Sequence, residues 1–377
     1  MLLNLFFLRI FKLKIVLLAA GGRAGADFFH SLIDGHSQIL QFPGYLRINE
    51  NFKTIFKLKD PHKIAKQFIK MYPEFFDSRV NKFERWNKLG SNKNSFFKVE
   101  RVKFIKNFIK LAKIDDKKFD ILKKLHLSYF LSRKRKLNDK KILFIHTHLL
   151  SWTKEFIKFF RLKNFEILHT IRHPLASLNS QQKSWLNFDN GGHYFPKELY
   201  YHLDTVINCI SDLSKLGSVN IIQLERLHIK NTTVMKNFCK KFKINYEKSL
   251  AKSTKNNLIW WGDAVSGRFL SGINKNHKIN IDKKYFYERD LIFFQNMTED
   301  IIQKYNYEFY YQRKSLYFNF LPMKCEILVW KNTIKNIFFK GFRWKNLLSI
   351  PLFYLIRILS LNLLIIRARK QILPRSF

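Results

Sequence analysis

A chain of 377 residues, 46% of them hydrophobic, carries enough apolar side chain for one large α/β domain with additions or for two domains. Its 69 Lys and Arg against 28 Asp and Glu give a net charge of +41, which points to anionic partners: phosphorylated, sulfated or lipid. No zinc-finger spacing, RNP-like aromatic motif or basic heptad helix accompanies the charge, so no nucleic-acid partner is expected.

An AT-rich coding bias would enrich Lys, Phe, Asn and Ile by itself, but it would enrich Glu too, and acidic residues are scarce. Cys209, Cys239 and Cys325 are isolated, with no CxxC pair, which argues against a disulfide framework and a thiolate metal site and fits a reducing, cytoplasmic setting.

The amino terminus, MLLNLFFLRIFKLKIVLLAAGG, has the look of a secretion signal. Its apolar run after Lys14 leads straight into a glycine turn with no separate cleavage region, so it is read as the first strand. Lys14 to His36 then reads as buried strand, glycine turn and helix. Ile39 to Phe42 is a short second strand closed by Pro43-Gly44. From about residue 60 to 136 the spacing is helical, as in RVKFIKNFIKLAKI, and predicts a helical insertion. KKILFIHTHLLSW (Lys140 to Trp152) predicts a strand, and FEILHTIRHPLASLNSQQ (Phe165 to Gln182) a strand, turn and helix. A further helix, the strand VNIIQL and the helix VMKNFCKKF follow. Apolar strands alternating with helices predict a parallel sheet covered on both faces. The Gly191-Gly192 pair marks a loop.

Residues 1–312 are thus expected to form the α/β domain and 313–377 a basic, apolar extension, with thirteen Lys and Arg against the single Glu326. Within it, Leu347 to Ile366 is about the ~20 residues a bilayer span needs. Fourteen Leu, Ile and Phe favour insertion, whereas Arg357, Pro351, Asn362 and two serines oppose it. Three readings stay open: an interfacial helix against anionic lipid at the inner face of the membrane, a helix packed on the domain, and a span.

The glycine turn, Gly22-Arg23-Ala24-Gly25-Ala26-Asp27, lacks the Lys-Ser/Thr pair that a nucleotide triphosphatase needs for outer phosphates and magnesium. What remains is an anion site without metal: backbone N–H groups, a helix N-terminus and Arg23. The plain alternative is a tight strand-to-helix turn. TIRHPLASLNS places Arg172 at the end of another strand and Ser180 in the helix after Pro174, one turn from Ser177, which makes a second anion clamp at the same sheet edge. Two such clamps suit a ligand with two separated phosphates.

With these two motifs in order the chain resembles the sulfotransferase superfamily, from about Lys14 to Gly267, with LERLH and STKNNLIWWGD as later segments. The resemblance implies a P-loop-like three-layer α/β fold and 3′-phosphoadenosine 5′-phosphosulfate as donor, with a hydroxyl-bearing acceptor such as a glycan or lipid-linked sugar. It implies that Arg23 contacts the 5′-phosphosulfate with backbone groups of Gly22, Ala24, Gly25, Ala26 and Asp27. Arg172 and Ser180 would hold the 3′-phosphate, and Ser253 and Thr254 would lie near the adenine. The family commonly has Ser and Thr where Ala24, Ala26 and Asp27 stand.

HTHLL resembles the family's KTHLP stretch, making His148 the expected base and placing His146 where a lysine usually stands; His30 and His36 are lesser candidates. The plain alternative is that both histidines hydrogen-bond at a strand end. Trp260 and Trp261 read chiefly as packing, Glu225 as an orienting or a surface carboxylate, and Gly267-Arg268 as a late phosphate contact. Two other functions stay open: an inactive anion- or glycan-binding protein of the same fold, and a magnesium-dependent P-loop kinase.

Overall fold

The computed structural model describes residues 13–133, 140–188, 196–264, 269–270, 272–279, 281, 283–312, 320–340 and 344–368. The Gly191-Gly192 and Gly267-Arg268 expectations lie outside them.

Strand β1 (Lys14–Ala20) is followed by α1 (Ala26–Leu32) and β2 (Ile39–Leu40). A run of helices follows: α2 (Glu50–Ile55), α3 (Pro61–Met71), α4 (Pro73–Phe76), α5 (Arg101–Leu111) and α6 (Lys118–Ser132). Next come β3 (Ile142–His148), α7 (Leu150–Phe160), β4 (Glu166–Ile171), α8 (Pro174–Phe188), α9 (Pro196–Ser214), β5 (Val219–Gln223), α10 (Leu224–Ile229) and α11 (Asn231–Phe242). A small hairpin of β6 (Thr254–Lys255) and β7 (Leu258–Ile259) precedes α12 (Glu288–Met297), α13 (Glu299–Lys304), α14 (Lys324–Lys340) and α15 (Trp344–Ala368).

The five long-range strands form one parallel sheet in the order β2-β3-β1-β4-β5. A glycine turn after the central β1, leading into a helix, makes this the expected P-loop-like α/β arrangement. Strand alternation sorts the sheet's side chains into two cores. Leu17, Leu143 and Ile145 face Phe52, Phe68, Phe104, Phe156 and Phe160 of the helices on one side. Val16, Leu18, Ile142 and Phe144 face Phe29, Leu32, Met235 and Phe238 of α1 and α11 on the other.

α15 packs on the domain. Leu361 and Leu364 are fully buried with Leu199, Leu203, Phe293 and Phe294. Of the three readings of the extension, packing is observed for this face. No helix among the described residues is long and apolar enough to cross a membrane.

Candidate functional site

Parallel strands deliver their following loops to one edge, where binding clefts of open α/β sheets form. Here that edge opens into a cleft of about 920 Å³. The turn after β1 forms its floor. Arg23 has φ 52°, and Gly25, the N-cap of α1, sits at φ 82°, ψ 22°. A Cβ at Gly25 would drive into the Leu224 side chain, and one at Gly22 would come within 2.6 Å of the His202 ring. The second motif braces this loop. The Ser177 hydroxyl donates to the Gly22 carbonyl at 2.8 Å and lies 3.3 Å from His202 Nε2, so His202 donates through that nitrogen. Arg23 Nε donates to Ser180 Oγ at 3.4 Å, and its Nη2 pairs with Asp263 at 2.8 Å. The two anion motifs are therefore adjacent.

Arg172 also lines the cleft, and its Nε is buried without a hydrogen-bond partner among the described residues. Such an orphaned donor normally has a ligand or water to meet it. Beside it, Glu225 is buried, accepting the His173 backbone N–H at 2.9 Å and the Tyr307 hydroxyl at 3.2 Å. Burial raises the Glu225 carboxyl, and these hydrogen bonds together with Arg172 oppose the rise. It orients neighbours, one of its two expected roles.

The opposite wall carries the histidines. The β1–β3 register shifts after Leu18, which pairs with His146, while Ala19 pairs with His148; Thr147 is the extra residue. Its hydroxyl is held by Leu18 O at 3.2 Å and Thr153 Oγ1 at 2.7 Å. His148 takes the left-handed backbone, φ 64°, a conformation costing a non-glycine residue roughly 1–3 kcal/mol. A bulge of this kind re-aims a side chain. His148 lines the cleft, with its ring stacked on Tyr45 at 4.6 Å between centroids. His146 is buried behind it at 2% exposure. Regular two-residue alternation would turn both imidazoles to one side of the strand; the bulge breaks it, so His148 lines the cleft and His146 does not.

The two rings touch through His148 Nδ1 and His146 Nε2, 3.3 Å apart, and His146 Nδ1 lies 3.7 Å from Asp27 Oδ1. Burial lowers His146 to about 3 against the opposing Asp27 carboxylate. Burial likewise lowers His148, with Asp27 opposing and Arg23 assisting. Burial alone would raise the Asp27 carboxyl, but the two histidines, Lys255 and Arg23 take it below the usual carboxylate range. Asp27, His146 and His148 have the ligand types of a cation site, their nearest donor atoms all within 4.8 Å, but the Arg23 and Lys255 charges alongside oppose a cation.

Ser253 lines the cleft and its hydroxyl meets that of Ser31 at 2.7 Å. Thr254 does not line it: strand alternation turns its hydroxyl away, to Asp34 at 2.9 Å, which corrects its placement beside a bound base. Of the lesser histidines, His30 packs edge-on against His146 at 5.1 Å, and His36 bonds the Asn245 carbonyl away from the cleft. Trp260 packs as expected, its N–H donating to the Glu84 carbonyl at 2.6 Å.

Four contributors escape a reading of the sequence: Tyr45, Glu84, His202 and Lys255. Lys255 is 1% exposed, donates to the Pro43 carbonyl at 3.0 Å, and lies 5.1 Å from the Trp260 ring centroid. Burial raises Glu84 well above its ordinary value, and Asp27 and Asp263 add to the rise. The position of Tyr45 just after Pro43-Gly44 is the one signal that marks any of the four as a turn residue beside the site.

No family model and no curated protein sequence matches this chain. Among solved structures, it is similar to the sulfotransferase domain from the Synechococcus PCC 7002 olefin synthase. That match has 12% identity over 63% of this chain and 76% of that one, with a TM-score of 0.37. It is also similar to the sulfotransferase domain from the curacin biosynthetic pathway, at 12% identity over 85% of this chain and 98% of that one, with a TM-score of 0.34. Likenesses this loose leave the geometry of the cleft to carry the function.

Proposed function

We propose that this chain is a sulfotransferase that uses 3′-phosphoadenosine 5′-phosphosulfate as donor and a hydroxyl group as acceptor. The observation that carries the reading is the meeting, in one cleft, of the glycine turn with Arg23 and Ser180, the orphaned donor of Arg172, and a re-aimed histidine opposite. The donor set fits two separated phosphates: Gly22 to Asp27 with Arg23 for one, Arg172 with Ser180 for the other. When bound, the donor supplies an activated sulfuryl group.

The chain's own residues handle the proton. With Nδ1–H of His148 directed at His146 Nε2, 3.3 Å away, Nε2 of His148 is left with its lone pair for an acceptor hydroxyl, while Asp27, 3.7 Å from His146 Nδ1, acts on the pair through its charge. His148 takes the hydroxyl proton as the oxygen attacks. His146 and Asp27 act as positioning residues, fixing that tautomer and stabilising the imidazolium. Charge moving onto the departing phosphate oxygen is met by Arg23 and the amides at the head of α1. The aromatic wall of Tyr45, Trp86 and Trp260 suits an acceptor with a flat or ring-shaped body, such as a sugar.

One observation favours a second reading, an inactive binder of the same fold: Asp263 already holds Arg23, and Asp27 puts a carboxylate at the loop where an anion would sit. Calorimetric titration with adenosine 3′,5′-bisphosphate, beside ATP with magnesium, tests both on wild type and Arg172→Ala. Selective, metal-independent binding lost in Arg172→Ala supports the donor site. Sulfate transfer to a panel of hydroxyl acceptors, lost in His148→Ala, then separates enzyme from binder. Failure to bind the bisphosphate, or preference for ATP with magnesium, overturns the reading.

A further inference from the structure

Helix α15 has two apolar faces, and among the described residues only one is covered. Toward the domain, Leu361 and Leu364 are fully buried. Arg357, 0% exposed, is bound by Glu326 through Nε at 2.8 Å and Nη2 at 3.0 Å. On the far side, Leu348, Leu352, Leu355, Leu359 and Leu363 are 55–69% exposed. At ~100° per residue these five leucines fall within an arc of about 80°, and at ~1.5 Å per residue the stripe runs about 22 Å. A continuous exposed stripe of large apolar residues marks an interaction surface.

Charge selects the occupant. The segment from Arg313 onward carries thirteen Lys and Arg, and its single acidic residue, Glu326, is engaged by Arg357. A second copy docked through this stripe would bring two strongly basic segments together, and the whole chains each carry +41. An anionic lipid surface offers apolar depth for the leucines and opposite charge for the basic flanks. The only charged residue of the central turns, Arg357, is turned inward to Glu326, so it does not oppose insertion of the far face. We infer that α15 lies on an anionic membrane surface with its leucine stripe at the headgroup–acyl boundary. The inference is independent of the chemistry in the cleft.

The test is co-sedimentation of the full chain with vesicles of phosphatidylcholine alone and with about one third phosphatidylglycerol, at low and high salt, with soluble glycerol phosphate as competitor. Wild type should partition onto the anionic vesicles, less so at high salt, and soluble glycerol phosphate should not displace it. The triple variant Leu352→Ser, Leu355→Ser, Leu359→Ser should lose about tenfold or more in partitioning while keeping the wild-type circular dichroism and melting temperature, because these side chains are exposed. No binding of wild type to anionic vesicles overturns the inference. So does equal binding by the triple variant, which would assign attraction to charge alone, or displacement by glycerol phosphate, which would make the ligand a soluble phosphate. A dimer in sedimentation velocity that the triple variant dissociates, without vesicle binding, would give the stripe to a second copy.

Discussion

Asp27 has two effects of opposite sign at one position. Its carboxylate repels an anion at the loop, yet its charge, 3.7 Å from His146, opposes the burial that lowers the His148 pKa and so favours a proton there. Asp27→Asn should therefore tighten adenosine 3′,5′-bisphosphate, by about fivefold for ~1 kcal/mol of relieved repulsion, while lowering kcat by roughly 10–100-fold. Calorimetry and steady-state kinetics on one preparation check the split; a merely structural role would weaken both. The pH profile gives a second readout. In the proposed mechanism His148 must be neutral to accept a proton, so kcat/KM should rise with pH through its pKa, which burial holds below 6.5 while Asp27 opposes. Removing the carboxylate should move that acidic limb to still lower pH. At Gly25, φ 82° and the Leu224 side chain leave no room for Cβ, so Gly25→Ala should cost roughly 1–3 kcal/mol in thermal unfolding and weaken bisphosphate binding. Arg23, Arg172, Ser180 and His148 were legible in the sequence because each sits in a motif at a strand end. His202 and Lys255 were not, since a histidine inside α9 and a lysine in a two-residue strand carry no local mark of where the chain brings them.

At the level of elements, the sheet was legible because its strands are short unbroken apolar runs separated by amphipathic helices. The bulge in β3 was not, because the register slip depends on Leu18 and Ala19 of a neighbouring strand and on Thr153 of α7. The state of α15 was ambiguous for a related reason. Arg357 reads in isolation as a charge that must be solvated, and its partner Glu326 lies 31 residues earlier on another helix. A buried pair losing one member leaves an uncompensated charge, which costs about 3–5 kcal/mol. Arg357→Met should thus loosen α15, seen as faster amide exchange across 344–368 and earlier proteolysis there. Arg357→Met with Glu326→Leu should recover most of the protection, because an apolar pair leaves no charge stranded. Equal exchange in wild type and Arg357→Met would mean that the leucines alone hold the helix.

Across the whole molecule, acid stability follows from buried neutral histidines. Burial lowers His126, His146 and His202 to about 3 and His169 and His173 to about 4. In the unfolded chain each returns to an imidazole value near 6.5. Above that value neither state binds the proton and nothing is lost. As pH falls below 6.5 the unfolded chain takes up protons that the folded chain refuses, so stability declines down to the folded values near 3–4. By pH 5 each such group costs about 1–2 kcal/mol, and several together rival the ~5–15 kcal/mol that holds a domain folded. The acid transition in circular dichroism should accordingly lie above pH 4, accompanied by net proton uptake. His126 isolates the effect, since it stands away from the cleft, its ring tilted against Phe42 and bonded to the Leu122 carbonyl. His126→Phe should lower the midpoint by a few tenths of a pH unit. The +41 charge also favours unfolding through self-repulsion, but salt screens that contribution and leaves the histidine one. A His126→Phe shift that survives at high salt therefore assigns acid lability to buried imidazole; a shift that vanishes with salt assigns it to net charge.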